Sequence, residues 1–277
     1  MKAFFLDAAA GGQRLCLFHR AQGQQVRGRI VYVHPFAEEM NKSRGMAALQ
    51  ARAFAAAGFS VLQIDLRGCG DSSDDFGQAS WQDWVDDVIS ACRWLGQVDA
   101  LHRAAPLWLW GLRAGCLVAA EAAAQLDEIC NFCFWQAAVS GKQALQQFLR
   151  LKLAADLQTA GSKGLMKQLQ QDLAEGKSVE VAGYQLNPAM AEGLAAATLL
   201  PNSGGQLDWF ELSANGGITL TGAQALAGWT GSACRSHVVQ GPAFWQTSEI
   251  EQAPELIAAT TAALLAAAVS LPEAAMA

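Results

Sequence analysis

Leu107-Trp108-Leu109-Trp110-Gly111-Leu112-Arg113-Ala114-Gly115-Cys116 is the stretch whose reading decides the fold. Its first half is too apolar to keep a solvated face, as expected of a strand covered by helices on both sides of a parallel sheet. The second half turns through Gly-x-Arg-x-Gly into a helix read over 115–126. Glycines on either side of one residue permit a bend so tight that the central side chain, Arg113, projects beyond the strand end.

Outward from this turn, strands and helices alternate. A β-branched strand over 29–33 leads through a loop to a helix over 46–57, a strand over 60–65, a helix over 81–95, the strand over 106–110 and another strand over 129–135. That βαβαβαβ order predicts a doubly wound, mostly parallel sheet. Ahead of it, runs at 3–6 and 14–19 flank Ala10-Gly11-Gly12 and predict an antiparallel hairpin. The rhythm breaks between 140 and 205, where a Gln-, Lys- and Leu-rich helical stretch precedes a strand-like segment over 178–184. It resumes with a strand over 207–212, a helix over 221–229, a strand over 236–240 and an Ala-rich helix over 256–271 opened by Pro254 and Glu255. We therefore expect a core formed by 1–139 and 206–277, interrupted by a cap over 140–205.

Composition narrows the function classes. At 277 residues, folding buries about 75% of the unfolded surface, enough for a large single core. A hydrophobic content of 52% excludes a disordered chain, and a net charge of −6 lacks the basic footprint of a nucleic-acid binder. The seven cysteines are scattered, which suggests a reducing compartment and a cytoplasmic protein. The four-residue apolar run at 3–6 is too short for a signal-peptide core, and 256–271 is too short to span a bilayer. Cys130-Asn131-Phe132-Cys133 has metal-site spacing, yet residues three apart on a strand face opposite sides. No metal is expected. The glycine-rich turns lack a phosphate-loop lysine, so neither a nucleotide nor another cofactor is expected.

The turn at Arg113 has the shape of a nucleophile elbow, G-x-S-x-G, with arginine in place of serine. Together with the strands that resume after the cap, it resembles the α/β-hydrolase fold over nearly the whole chain. Three further stretches, His34-Pro35-Phe36-Ala37-Glu38-Glu39-Met40-Asn41-Lys42-Ser43-Arg44, Asp65-Leu66-Arg67-Gly68-Cys69-Gly70-Asp71-Ser72 and Gly241-Pro242-Ala243-Phe244-Trp245, resemble the type 2 exosortase A system-associated hydrolases. That resemblance implies a role beside exosortase-dependent protein sorting and exopolysaccharide production, with a protein of that system as a partner. Fold membership alone says little about chemistry.

A serine hydrolase of this fold needs nucleophile, acid and base in that chain order. The nucleophile position holds Arg113, whose guanidinium cannot be deprotonated. The acid is expected after the strand over 207–212, where Asn215 carries no charge. The base is expected after the strand over 236–240, at Phe244. Fallback candidates are Cys116, a turn beyond Arg113 and expected to pack, and His237, expected to be structural. His19 and His102 read as surface residues, and Ser43 and Ser72 as turn or capping residues, with Asp71 capping the 65–72 turn. Trp81, Trp84 and Trp94 recur on one helix and read as core before a carbohydrate platform.

His34 ends the strand whose following loop supplies an oxyanion-hole donor in this fold. Pro35 has no N–H, which leaves Phe36 or Ala37. His34 is expected to order that loop.

Arg113 over a helix N-terminus also suggests an anion site in which its guanidinium and the Ala114 N–H, with His34, Phe36, Glu38 and Glu39 around them, hold a small anionic, acyl or glycan ligand. The competing expectation is an internal ion pair of Arg113 with Glu38, Glu39 or Asp65. Three functions follow: a hydrolase-fold accessory protein that binds a ligand or partner under the cap, an active hydrolase of ester, amide or acyl-glycan bonds using a non-standard nucleophile and base, and an interaction protein that docks through its cap.

Overall fold

The computed structural model describes residues 1–9, 11–156, 164–200, 205–214, 216–229, 233–247 and 249–270. The chain opens on the hairpin β1 (Lys2–Asp7) and β2 (Gln13–His19), followed by β3 (Gly28–Val33), α1 (Glu38–Ala56), β4 (Phe59–Ile64), α2 (Trp81–Gly96), α3 (Ala100–Ala104), β5 (Leu107–Leu112), α4 (Gly115–Ala123) and β6 (Cys130–Trp135). It then leaves the sheet for α5 (Gly141–Asp156), α6 (Leu165–Ala174), the small hairpin β7 (Val179–Val181) and β8 (Tyr184–Leu186), and α7 (Pro188–Ala196). It returns with β9 (Leu207–Leu212), α8 (Leu220–Ala227), β10 (Cys234–Val239) and α9 (Pro254–Ser270).

Among the described residues eight strands form one sheet in the order β1-β2-β4-β3-β5-β6-β9-β10. β2 pairs antiparallel with β1 and β4, and the strands from β4 to β10 are parallel. This is an α/β-hydrolase fold. Its two-sided burial is visible within single strands: Leu107 and Leu109 of β5 join the core cluster under α2 and α4, while Trp108, Trp110 and Leu112 join the one under α1 and α9. Cys130 and Cys133 are divided in the same way between the two faces, which keeps the thiols from sharing an ion. Trp84, Trp108, Trp110, Trp135 and Trp209 are fully buried. At 150–250 Å² each and about 25 cal/mol per Å², each ring contributes about 4–6 kcal/mol of gross transfer free energy.

The structure departs from the sequence reading in several places. Helix α1 begins at Glu38, eight residues before the expected start: Ala37 reverses the chain at φ 51°, and Glu38 and Glu39 then occupy the first turn, where the helix dipole favours carboxylates. The polar run over 38–44 has no apolar period to reveal that helix. The single strand read over 178–184 is a hairpin, because Ala182 and Gly183 are both left-handed (φ 50° and 83°) and reverse the chain in two residues. His102 is fully buried, between Asp99 Oδ1 at 2.7 Å and Ser60 Oγ at 2.8 Å, and His19 is buried against Gln63. Both are core-facing rather than surface residues.

The 65–72 turn is capped by Asp65, not Asp71. Asp65 Oδ2 accepts the Asp71 N–H at 3.2 Å and binds Arg44 at 3.0 Å, while Ser72 Oγ donates to the Asp65 carbonyl. Gly70 is required, since a Cβ there would lie 2.0 Å from Asp65 Oδ2. Arg67 N–H also donates to Asp87 Oδ2 at 2.8 Å, the same oxygen that binds buried Arg14, so one ion pair fastens the turn to α2 and β2.

Candidate functional site

At the end of β5, Arg113 adopts φ 55°, a conformation worth about 1–3 kcal/mol of strain in a residue other than glycine. Three main-chain bonds hold it, from Arg113 N–H to the Trp135 carbonyl (3.0 Å) and from the Ala138 and Cys116 N–H groups to the Arg113 carbonyl (3.1 and 3.2 Å). The flanking glycines are needed for close approach. A Cβ at Gly111 would meet Cys116 N at 2.8 Å, and one at Gly115 would meet the Val33 carbonyl at 2.4 Å. The result is an elbow that aims its central side chain off the carboxyl end of the sheet, with Ala114 opening α4 beside it.

Around that tip lies a cavity of about 350 Å³. Phe36, Glu38, Glu39 and Lys42 come from the end of β3 and the first turns of α1, Arg113 and Ala114 from the elbow, Phe148 and Gln147 from α5, and Trp245 and Gln246 from the loop after β10. Helix α5 thus roofs the elbow, and the root of the excursion between β6 and β9 is closed by Ser140 pairing with Thr198.

The guanidinium is already engaged. Nε donates to Glu39 Oε1 at 3.3 Å, Nη1 to the Gln136 carbonyl at 3.5 Å and Nη2 to Gln147 Oε1 at 3.1 Å, and its centre sits 5.8 Å from the Trp245 ring. Of the three internal partners considered, Glu39 is the one used, while Asp65 binds Arg44 instead. Burial pushes the Glu39 carboxyl above its usual range, and Arg113 offsets only part of that. Burial likewise raises Glu38, and Lys42 offsets only part of that.

Phe36, Glu38, Glu39, Arg113 and Ala114 therefore come together, and His34 does not join them. His34 donates from Nδ1 to the Pro35 carbonyl at 2.8 Å and accepts the Leu66 N–H at Nε2, ordering the loop beneath the cavity. Burial pushes it down to about 4, so it stays neutral near pH 7. Phe244, at the expected base position, is fully buried in the core cluster on the α1 and α9 face, against Trp135, and its neighbour Trp245 is the one that faces Arg113. Asn215, the expected acid position, lies outside the described residues.

The fallback residues are placed elsewhere. Cys116 is fully buried, and desolvation raises its thiol far above the ordinary value, which disfavours the reactive thiolate. His237 donates from Nε2 to the buried Asp208 carboxylate at 2.8 Å and stacks on Phe210; Asp208 is also gripped by Arg235. Glu211, the carboxylate nearest the end of β9, accepts from Trp209 Nε1 and from both the N–H and hydroxyl of Thr219, which caps α8. Ser43 and Ser72 are buried in bonds to backbone groups, Ser72 also accepting the Leu15 N–H at 2.9 Å. All four histidines of the chain are thus accounted for, and none lines the cavity.

The sequence reading missed Lys42, Gln147, Phe148, Trp245 and Gln246 as lining residues. Lys42 and Trp245 lie within motif stretches that were singled out. Gln147 and Phe148 have no sequence signal, because only the folding of α5 over the elbow brings them there.

The family model for serine aminopeptidase S33 matches residues 24–207. The chain belongs to the serine aminopeptidase S33 family. Solved structures agree on the fold: Est1E from Butyrivibrio proteoclasticus with ferulic acid bound (13% identity, TM-score 0.67, covering 96% of this chain and 98% of that one), and alpha/beta hydrolase domain-containing protein 10 from mouse (13% identity, TM-score 0.61, 96% of each chain). The bottromycin epimerase BotH, in complex with bottromycin A2, is similar over 98% of this S33 chain and all of its own length, at 16% identity and TM-score 0.55. No curated protein matches the chain in sequence. Among the described residues no helix is long and apolar enough to cross a membrane.

Proposed function

We propose that this S33 chain is a non-hydrolytic member that binds a small ligand in the cavity between the elbow and α5. The observation that carries the reading is the elbow tip itself: a permanent cation occupies the attacking position, tied to Glu39 and Gln147, while every imidazole of the chain is bonded elsewhere. An acyl-transfer cycle needs a nucleophile and a base that takes its proton, and guanidinium supplies neither. What the fold retains is a concave, aromatic-walled site with a few convergent polar groups, the ordinary form of a ligand pocket. The epimerase among the fold neighbours supports the idea that this architecture serves reactions and complexes other than hydrolysis.

The resemblance of the 34–44, 65–72 and 241–245 stretches to exosortase A system-associated hydrolases supports a cytoplasmic accessory role in exopolysaccharide production or protein sorting, with the α5–α7 excursion as the cap over the site. The test is treatment with an activated fluorophosphonate alongside turnover of short acyl esters. Neither labelling nor turnover is expected. A covalent adduct on a serine or cysteine, with turnover abolished by mutating that residue, would overturn the reading.

A further inference from the structure

Arg113 is held more loosely than any other arginine paired with a carboxylate among the described residues. Its contact with Glu39 is 3.3 Å, against 3.1 Å or less for every other such pair, and charge-assisted bonds usually close to about 2.7–2.9 Å. A guanidinium carries five N–H donors, and Arg113 uses three of them, on Glu39, the Gln136 carbonyl and Gln147. Two donors remain on a fork whose shape matches a carboxylate in bidentate fashion. Both partners of the pair keep accessible surface, 16% of the Arg113 side chain and 19% of that of Glu39, and both line the cavity.

The charged groups around that space balance. Glu38, Glu39 and Lys42 come from α1 and Arg113 from the elbow, whereas α5 and the loop after β10 contribute amide, apolar and aromatic side chains but no charge. An anion entering this neutral set leaves one negative charge in excess unless a carboxylate takes up a proton. Glu39 is the carboxylate placed to do so: it is the one bonded to Arg113, and burial already pushes its carboxyl above the usual range. Giving up the guanidinium removes a bond that favours its charged form, so anion binding and proton uptake are linked.

The opposite exchange has no such outlet. An ammonium that took Glu39 would strand Arg113, which cannot lose its proton, beside Lys42. The remaining lining, Phe36, Ala138, Phe148 and Leu151, is apolar and suits a hydrocarbon or aryl body.

We propose that the cavity binds an amphiphilic monocarboxylate, which replaces Glu39 on Arg113 with its apolar body under α5, while one proton passes from solvent to Glu39. This rests on the binding reading above, and it makes the internal ion pair the closed form of the anion site. No covalent bond forms or breaks: Arg113 keeps one carboxylate partner throughout, and the charge within the cavity stays balanced.

The probes are phenylacetate, phenethylamine and 2-phenylethanol, titrated calorimetrically into the full chain between about pH 6 and 8.5, where phenylacetate stays ionised. Phenylacetate should bind tightest. Its affinity should fall with rising pH by up to about tenfold per unit, the slope of one proton per ligand, and buffers of different ionisation enthalpy should reveal that uptake. Glu39→Gln should bind it about tenfold more tightly at about pH 8 and lose both the slope and the uptake. Glu38→Gln, which spares the pair, should keep both. Arg113→Ala in the Glu39→Gln background, which leaves neither partner charged, should lose binding.

Phenylacetate binding without slope or uptake, weaker binding in Glu39→Gln, or uptake lost in Glu38→Gln would each overturn the exchange. Tighter binding of phenethylamine or 2-phenylethanol would overturn the monocarboxylate class and leave cavity binding standing. Failure of all three probes to bind would count against the binding reading itself.

Discussion

Replacing Arg113 by serine restores the G-x-S-x-G spelling of the elbow and should still yield no esterase. The main chain at 113 is held by the Trp135 and Ala138 bonds whatever the side chain, so the new hydroxyl would occupy the attacking position. It would find no imidazole to take its proton: His34 is locked between Pro35 and Leu66, and His19, His102 and His237 are bonded to Gln63, Asp99 and Asp208. General acid–base catalysis contributes about 10²–10⁴-fold, and removing the histidine of a working triad costs about 10⁶ in kcat. Turnover of p-nitrophenyl acetate by Arg113→Ser should therefore stay within about tenfold of a denatured control.

The same change has a cost in stability. Breaking a buried ion pair by removing one partner costs about 3–5 kcal/mol. With Arg113 and Glu39 side chains 16% and 19% exposed, solvent screening reduces this to about 1–3 kcal/mol. Glu39→Gln in the same chain should recover most of it. Because burial already raises the Glu39 carboxyl, and loss of the cation raises it further, the folded variant binds a proton that the unfolded chain releases over the window between the two values. The deficit against wild type should accordingly shrink as pH falls through the folded value. Urea titrations at several pH values measure the deficit. Saturable, pH-dependent turnover well above the control in Arg113→Ser, or a stability equal to wild type at neutral pH, would refute the reasoning.

Two further outcomes follow from the same geometry. Gly115→Ala should destabilise the chain by about 1–3 kcal/mol through overpacking, since its Cβ would meet the Val33 and His34 carbonyls at 2.4 and 2.6 Å, and a denaturation midpoint unchanged from wild type would contradict the packed elbow. In the native protein a thiol-reactive chromophore should label Cys234 first, because the six other cysteines are buried, and preferential modification of Cys116 would show that the elbow opens to solvent.

The order of elements was legible because each strand of the large sheet and most helices beside it carry their own signal. The strand over 207–212 and the starts of α2 and α4 were read where they lie, and the tight Gly-x-Arg-x-Gly turn located the elbow from local backbone requirements. Where the signal is polar, as over 38–44, or where a two-residue reversal interrupts a strand-like run, as at Ala182-Gly183, the reading failed. His19 and His102 were misplaced because polarity suggests exposure, whereas each buries its ring against a partner far along the chain.

By itself the sequence determined that a sheet strand ends in an elbow and that its tip is a cation rather than a nucleophile, since backbone freedom and side-chain type belong to single residues. Only the tertiary structure decided which carboxylate neutralises Arg113 and that Trp245 rather than Phe244 faces it. Those are relations between residues up to 132 positions apart, such as 113 and 245, and they exist only after the sheet has set where each strand end, the first turn of α1 and the roof of α5 meet.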